Sequence, residues 1–374
     1  MPEIGMDDLR AAVAAGVVTE AQAARLASLS EMRAGYRGAM AADDEPFELF
    51  RGFNEVFVAL GVALLGLGLW AMAALLAPGL FAPAALVAAA CWALAEYLTR
   101  RRRMVLPSLL LALGFVSAVG AGAAAQATVR FLEATPPGAF AARIASGEGV
   151  AVYGAAVALA AAAAALLFYL RFRLPFSIFL LGLSLFAALM TGTGLLHPER
   201  WALRENGGLA AMVDLGAGGA VGWATFGFGV AAFGVAMIYD MRDPHRLSRL
   251  SACGFWLHVI AAPAIVNTAA LTLWTRGGAL GAALTLATIL VLALVALVVD
   301  RRSFLIASVV YLGLLLGSLF EGIGDGLSRA AVLLALGAGL TALGAFWTAA
   351  RGRVMAALPD FPGKDRLPPY AEPA

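Results

Sequence analysis

The sequence predicts an all-α polytopic transmembrane bundle of about ten helices, preceded by a small cytoplasmic helical hairpin. Its composition excludes a water-soluble domain, because 62% of the 374 residues are hydrophobic, 13% are charged and the mean hydropathy is +0.87. Long apolar runs also alternate with tight clusters of arginine. A backbone inside a bilayer must satisfy its polar groups internally, so apolar runs of about 20 residues are expected to be membrane-spanning helices.

Each apolar run is assigned one membrane-spanning helix. The ten predicted spans cover residues 54–77, 80–98, 104–126, 149–170, 174–196, 214–239, 252–275, 279–299, 303–320 and 328–350.

Arginine distribution predicts the orientation of these spans. Thirteen arginines fall in the connections after the even-numbered spans or at the exit of the tenth: Arg100 to Arg103, Arg171, Arg173, Arg242, Arg246, Arg249, Arg301, Arg302, Arg351 and Arg353. The remaining connections hold six: Arg130, Arg143, Arg200, Arg204, Arg276 and Arg329. Since short cytoplasmic loops are enriched in Lys and Arg, both termini are expected in the cytoplasm. Abundant Ala and Gly, with arginine in place of lysine, indicate a GC-rich bacterial genome and hence a bacterial cytoplasmic (inner) membrane.

Residues 1–45 are expected to form a cytoplasmic helical hairpin and an acidic linker. Residues 6–15 have a helical pattern, Gly16 is placed as a cap, and Thr19 with Gln22 forms a capping-box sequence that opens a second helix. The apolar faces are too small to hold this unit folded alone. We therefore expect residues 1–35 to contact a second copy or a protein partner, while residues 46–353 form the membrane domain and residues 354–374 a cytoplasmic Pro-rich tail.

The hairpin carries a family resemblance. The segment Leu9…Gly16-Val17-Val18-Thr19-Glu20-Ala21-Gln22, followed by an acidic linker and apolar helices, resembles a bacterial family of polytopic membrane proteins defined only as a domain of unknown function. The resemblance covers about the first hundred residues. It implies the same order of parts and supplies no activity, ligand or site residue.

A short motif recurs after the arginine clusters. Leu106-Pro107-Ser108 follows the first cluster, and Leu174-Pro175-Phe176-Ser177 follows the second. Residues 301–305 form a looser copy and residues 242–250 a degenerate one. The repeat unit is interpreted as a pair of helices that leaves and re-enters the cytoplasmic side.

The seventh predicted span holds the best candidate for a functional element. His258 lies inside it, where an ionisable side chain is a functional-site hypothesis by default. Ser251 and Thr272 share its helical face, whereas Asn267 lies on the opposite face. Two interpretations are open for His258: a residue lining a transport path, or a neutral histidine bonded to an adjacent helix.

Two acidic residues complete the candidate polar positions. Glu96 and Asp240 each stand at the cytoplasmic end of a predicted span, just before arginines, and Glu96 precedes Arg100 at the favourable four-residue spacing. They are interpreted as interfacial ion pairs that reach water, with a polar ring or proton relay as the alternative. The glycines of the sixth span, such as Gly218 and Gly222, are interpreted as close helix packing.

No feature of the sequence favours catalysis, a metal, a cofactor or nucleic acid. His197 and His245 have no second ligand at metal spacing, and Cys91 and Cys253 both lie in apolar runs. Tyr239-Asp240 with residues 322–325 resembles the paired motifs of intramembrane aspartyl proteases, but the predicted topology places them on opposite sides of the membrane. No basic stripe with interleaved aromatic residues is present.

Two functions from different classes remain. The first is a membrane scaffold or accessory subunit, because the spans carry few central charges and the hairpin is suited to protein contact. The alternative is a transporter or flippase of a small or lipidic solute, with the seventh span (His258) and the Gly-rich sixth span lining the path. A polar cavity that reaches His258 favours transport, and a filled bundle favours the scaffold.

The arginine asymmetry yields a topology test. A reporter that is active only in the periplasm should be active when fused after Glu133 or Gly207. It should be silent when fused after Arg103, Arg173 or Ala374. Activity at Ala374 would show that the number of spans is odd and that the helix count is wrong.

Overall fold

The computed structural model describes residues 6–19, 22–23, 26, 29, 53–76, 79, 81–145, 148–196, 213–217, 220–244, 246, 248–319 and 325–370. Within these ranges the regular structure is helical and contains no strand, which confirms the all-α fold class. The chain divides into two compact units, one comprising residues 1–46 with 247–249 and the other residues 47–246 with 250–374.

The N-terminal unit contains helix α1, Met6–Ala14, whose predicted capping is confirmed. Gly16 has φ +70°, its N–H donates to Val13 O at 3.0 Å, and the N–H of Val17 donates to Ala12 O at 2.9 Å. These two hydrogen bonds together form a Schellman motif at the C-terminus of the helix. The capping box also forms, because the Thr19 N–H donates to Gln22 Oε1 (2.9 Å) and the Gln22 N–H to Thr19 Oγ1 (3.2 Å). The predicted acidic linker lies outside the described residues.

The described part of the larger unit contains twelve α-helices. Its α-helices are α2 Phe53–Leu76, α3 Phe81–Ala95, α4 Val105–Glu133, α5 Phe140–Ala145, α6 Glu148–Phe172, α7 Phe176–Leu196, α8 Ala220–Arg242, α9 Arg249–Trp274, α10 Gly278–Val299, α11 Ser303–Leu319, α12 Asp325–Ala345 and α13 Trp347–Ala357.

All ten predicted spans overlap helices of this unit. In the described part of the chain, eight helices are long and apolar enough to cross a membrane, and the bent pair formed by α12 and α13 would make a ninth. Helix α11 is the shorter apolar helix that overlaps the ninth predicted span. The helices thus indicate a multi-pass membrane protein, while the number of ten crossings stays a prediction.

Several helix ends differ from those predicted. Helix α4 continues to Glu133, seven residues past the predicted end, and α5 follows it as an additional short helix. The tenth predicted span is broken at Phe346, where α12 and α13 meet at 69°. Helix α3 changes into a π-helix over Glu96–Arg101, which shifts the direction of the side chains beyond Ala95. Hydropathy does not predict these changes, because it reports where apolar residues are concentrated and not how the backbone bends or changes its helix type.

Three buried clusters hold the helices of the larger unit together. In the first, Phe115 of α4 and Phe168 of α6 lie 5.7 Å apart between their ring centroids, with Trp92 of α3 against both. The second joins α9, α10, α11 and α13 around Val266, Ile289, Phe304 and Trp347. A third joins α7, α8 and α9 through Ile178, Ala236, Cys253 and Leu257.

Four turns at one end of the bundle share a strained backbone. Among the described residues, those other than glycine with positive φ are Arg103 (51°), Arg173 (49°), Arg246 (55°) and Asp300 (59°). They lie in the four connections that the sequence assigns to the cytoplasmic side. Left-handed backbone costs an ordinary L residue roughly 1–2 kcal/mol, which glycine would avoid. Glycine would also remove the charge, so the sequence keeps charged side chains at these turns despite the strain.

Candidate functional site

A buried ion pair between Asp240 and Arg301 is the centre of the candidate site. Asp240 lies in the last turn of α8 and Arg301 directly after α10. Arg301 Nε donates to Asp240 Oδ2 at 3.0 Å and Arg301 Nη2 to Asp240 Oδ1 at 2.5 Å. The two side chains are 2% and 8% exposed, respectively. The bidentate geometry matches the planar guanidinium to the carboxylate, and the pair cancels its own charge in a low-dielectric environment.

The turn after α10 directs Arg301 toward this carboxylate. Asp300 is the left-handed C-terminal residue of the helix, and the N–H groups of Asp300 and Arg301 return to carbonyls in its last turn. The Asp300 carboxylate is held from two sides, by Arg246 Nη1 at 3.0 Å from Oδ2 and by Trp347 Nε1, which donates to Oδ1 at 2.6 Å. These bonds offset the strain of the turn.

Arg246 belongs to the connection between α8 and α9, and it also donates to the Asp300 carbonyl at 2.8 Å. Burial lowers its pKa, and the nearby Arg301 acts in the same direction, while Asp300 and Asp240 oppose both effects. A guanidinium nevertheless stays protonated in proteins. The connection therefore contributes a permanent cation to this end of the bundle.

His258 supplies the third group of the cluster. Its side chain is 0% exposed, and its Nε2 lies 2.9 Å from Asp240 Oδ2. Because Arg301 keeps the carboxylate ionised, we assign the ring proton to Nε2, which donates to Asp240. His258 Nδ1 has no hydrogen-bond partner among the described residues. The rings of Phe233 and Phe304 surround the imidazole at centroid distances of 5.5 and 6.1 Å.

The first turns of α9 are shaped around the ion pair. The Ser251 carbonyl and Oγ accept from Arg301 Nη2 at 3.0 and 3.3 Å. A Cβ at Gly254 would lie 2.6 Å from Asp240 Oδ1, so only glycine leaves room for the carboxylate at this position. Three predicted polar positions therefore meet in one cluster: Asp240 bonds to both Arg301 and His258, and Ser251 accepts from Arg301.

The structure corrects one expectation for Asp240. Its carboxylate was expected to reach water at the membrane surface, but it is buried between α8, α9 and α10. The hydrogen bond to an adjacent helix that was expected for His258 is present, and it is made to Asp240 of α8.

Glu96 forms a separate pair that is open to solvent. Arg171, at the end of α6, donates through Nε and Nη2 to Glu96 Oε1 and Oε2 at 2.7 and 2.9 Å. The predicted partner Arg100 also donates, at 3.2 Å. The side chains of Glu96 and Arg171 are 33% and 39% exposed. This pair has the same chemistry as Asp240 with Arg301, but water screens it.

Thr272 and Asn267 do not join the cluster. Thr272 Oγ1 donates to Thr268 O at 2.7 Å and accepts from the Leu215 N–H at 2.8 Å. Asn267 is partly buried, and its carbonyl accepts from the Tyr311 hydroxyl at 3.2 Å. Thr272 lies fourteen residues beyond His258, about 21 Å along a helix, so a shared face does not bring the two residues together.

Some glycines of α8 lie at a helix contact, whereas others have open space around them. A Cβ at Gly229 would lie 2.9 Å from side-chain atoms of Ala264 and Ile265, which supports close packing of α8 on α9. A Cβ at Gly227 or Gly234 would meet nothing within 4 Å. Gly218 lies outside the described residues, as do His197 and His245.

The cluster holds the charged side chains of Asp240 and Arg301 in fixed positions. Within the described residues, no group of three or more His, Cys, Asp or Glu side chains is arranged to hold a metal ion. Each oxygen of Asp240 accepts a hydrogen bond from Arg301, and Oδ2 also lies within bonding distance of His258. The arrangement thus locks the ends of α8 and α10 to α9.

Burial and exposure predict different costs for the two carboxylates. Asp240→Asn should destabilise the protein by about 3–5 kcal/mol, because it leaves the buried Arg301 guanidinium unpaired. The matched change Glu96→Gln should cost about 0–1 kcal/mol, since its pair is solvated. Unfolding of both variants in detergent micelles measures the difference. Equal costs would show that the two pairs have equivalent surroundings.

Comparisons with known proteins leave the function to be argued from this geometry. No protein-family model, curated protein sequence or solved structure matches the chain. The resemblance of the N-terminal hairpin to a family of unknown function stays a prediction.

Proposed function

We propose that the protein is a scaffold or accessory subunit of a bacterial cytoplasmic membrane, with both termini in the cytoplasm. The observation that carries this proposal is the complete burial of His258. A histidine that handles protons or solute has to meet water, whereas this ring is enclosed by Phe233, Phe304 and the Asp240 carboxylate. The most polar part of the membrane domain is therefore a structural connection.

The N-terminal unit supports a contact function. Large apolar side chains of that unit are exposed, with Val17 at 74% and Leu26 and Leu29 at 46% each. Exposed apolar groups on a small helical unit are suited to burial against another protein. Residues 1–35 are the proposed contact for a second copy or for a protein partner.

The transport alternative requires a second conformation. Solute or water would have to enter between Phe233 and Phe304, and the bonds from Asp240 to His258 and Arg301 would have to open. Breaking a buried charge pair is costly, so a static role is better supported.

Labelling of His258 separates the two functions. In a variant with His197→Gln and His245→Gln, a water-soluble histidine-reactive reagent should leave the folded protein unmodified and should modify it fully after denaturation. Mass spectrometry of the modified peptide measures the yield. Modification of the folded protein would instead support a water-accessible path.

Substitution of the ring gives the corresponding energetic test. We expect His258→Gln to change stability by no more than about 1 kcal/mol, because one interhelical hydrogen bond in a membrane protein averages about 0.6 kcal/mol. His258→Leu should cost more, since it leaves Asp240 with one donor fewer. A normally folded His258→Gln protein that no longer supports partner binding or growth would contradict a purely structural role.

A further inference from the structure

The described part of the C-terminal tail folds back onto the end of α8, close to the Asp240 cluster. Residues 358–370 follow α13 and contain a 3-10 turn at Lys364–Arg366. A Cβ at Gly363 would lie 2.8 Å from Met241 Cε, so this part of the tail packs on the residue next to Asp240. Residues 358–370 are called the strap below.

Arg351 of α13 fastens the strap to α10. Its Nη1 and Nη2 donate to the carbonyls of Pro369 and Pro368 at 2.9 and 2.6 Å. Its Nε donates to the Leu297 carbonyl, in the last turn of α10, at 3.0 Å. The Arg351 side chain is 5% exposed, and its Cζ lies 5.9 Å from the centroid of the Tyr370 ring. One buried guanidinium therefore joins α10 and α13 to the strap.

Beyond the contact with Arg351, the strap buries little of itself. Within residues 358–370, Leu367 and Pro368 are the buried residues. The Leu367 N–H donates to Lys364 O at 3.2 Å, a local bond that detachment of the strap would leave intact. A cavity of about 590 Å³ lies between the strap and Pro244. A segment with few buried contacts opens at a lower free energy than a helix core, so the strap can detach while the bundle stays folded.

Detachment would leave Arg351 with a counter-charge already in place. Its Nε lies 4.0 Å from Asp300 Oδ1. The same carboxylate holds Arg246 and Trp347. A guanidinium that loses the two strap carbonyls can turn toward this carboxylate, so release does not leave a buried charge unpaired. Arg351 thus has two sets of acceptors, one that includes the strap and one that does not.

We propose that the strap is a releasable device, latched by Arg351, that controls how firmly the turn at Asp300 holds Arg301. In the closed state, Arg351 holds the strap to the last turn of α10, and the strap packs on the end of α8. Release turns Arg351 toward the Asp300 carboxylate, where it competes with Arg246 and Trp347 and loosens the turn. The proposal does not rest on the scaffold function, because the strap acts on the same turn in a transporter.

The strap contains the single lysine of the chain, Lys364, which gives a test with one cleavage site. A lysine-specific protease needs an accessible, extended segment. In the closed strap the Lys364 side chain is 13% exposed, and its Nζ donates to the Leu358 carbonyl at 2.8 Å. We expect slow cleavage of the folded protein in detergent, at a rate set by the population of the open strap, and rapid cleavage after denaturation.

Three variants test the latch, with each rate normalised to that of the denatured variant. Arg351→Gln should raise the cleavage rate by about tenfold or more, because it removes two charge-assisted hydrogen bonds to the strap. Arg353→Gln makes the same change at an exposed arginine of α13 and should leave the rate unchanged. Leu367→Ala removes a buried anchor of the strap without altering the bundle, and it should also speed cleavage. Cleavage of Arg351→Gln and Leu367→Ala at the rate of the unmodified protein would overturn the proposal.

Hydrogen exchange tests the effect of the strap on the turn. In Leu367→Ala, the backbone amides of residues 296–303 should exchange about tenfold faster than in the unmodified protein, and those of α4 should exchange at the same rate. Mass spectrometry of the corresponding peptides measures both. Unchanged exchange at residues 296–303 in a variant whose strap is cut faster would show that the strap does not control the turn, and would overturn the proposal.

Discussion

An ionised carboxylate that is buried in a low-dielectric helix bundle needs a partner of opposite charge. In the larger unit, the Asp240 carboxylate is such a group. The Arg301 guanidinium compensates the negative charge of this carboxylate, and His258 provides a further hydrogen-bond donor. Other local features follow from the pair: glycine is needed at position 254 to leave room for the carboxylate, and the left-handed turn at Asp300 brings Arg301 into position. The ends of three helices are therefore fixed by one charged group.

An ion pair between a carboxylate and an arginine of a later helix connection occurs twice along the chain, once exposed to solvent and once buried. In each case a carboxylate at the end of one helix binds the arginine that ends the helix two crossings later: Glu96 with Arg171, and Asp240 with Arg301. This arrangement fits the repeat in the sequence, in which similar motifs follow successive arginine clusters. The first pair is solvated and the second is buried, so one repeated geometry gives a weak surface contact and a strong internal one.

Composition and local pattern were sufficient to predict the helices, the hairpin caps and the contact between Glu96 and Arg100. These features depend on hydropathy or on residues that are three to four positions apart in the sequence. The partners Arg171 and Arg301 could not be found in this way, since they lie 75 and 61 residues from their carboxylates. Their only signal was recurrence of arginine after each helix pair, which also serves orientation.

Asp240 and Arg301 stabilise the larger unit by acting on each other. A double-mutant cycle with Asp240→Asn, Arg301→Gln and the combined variant measures this directly through unfolding in detergent micelles. We predict a coupling energy of about 2 kcal/mol or more, because each single change leaves a buried group without its partner and the double change does not. Strictly additive costs would contradict it and would show that the two side chains contribute independently.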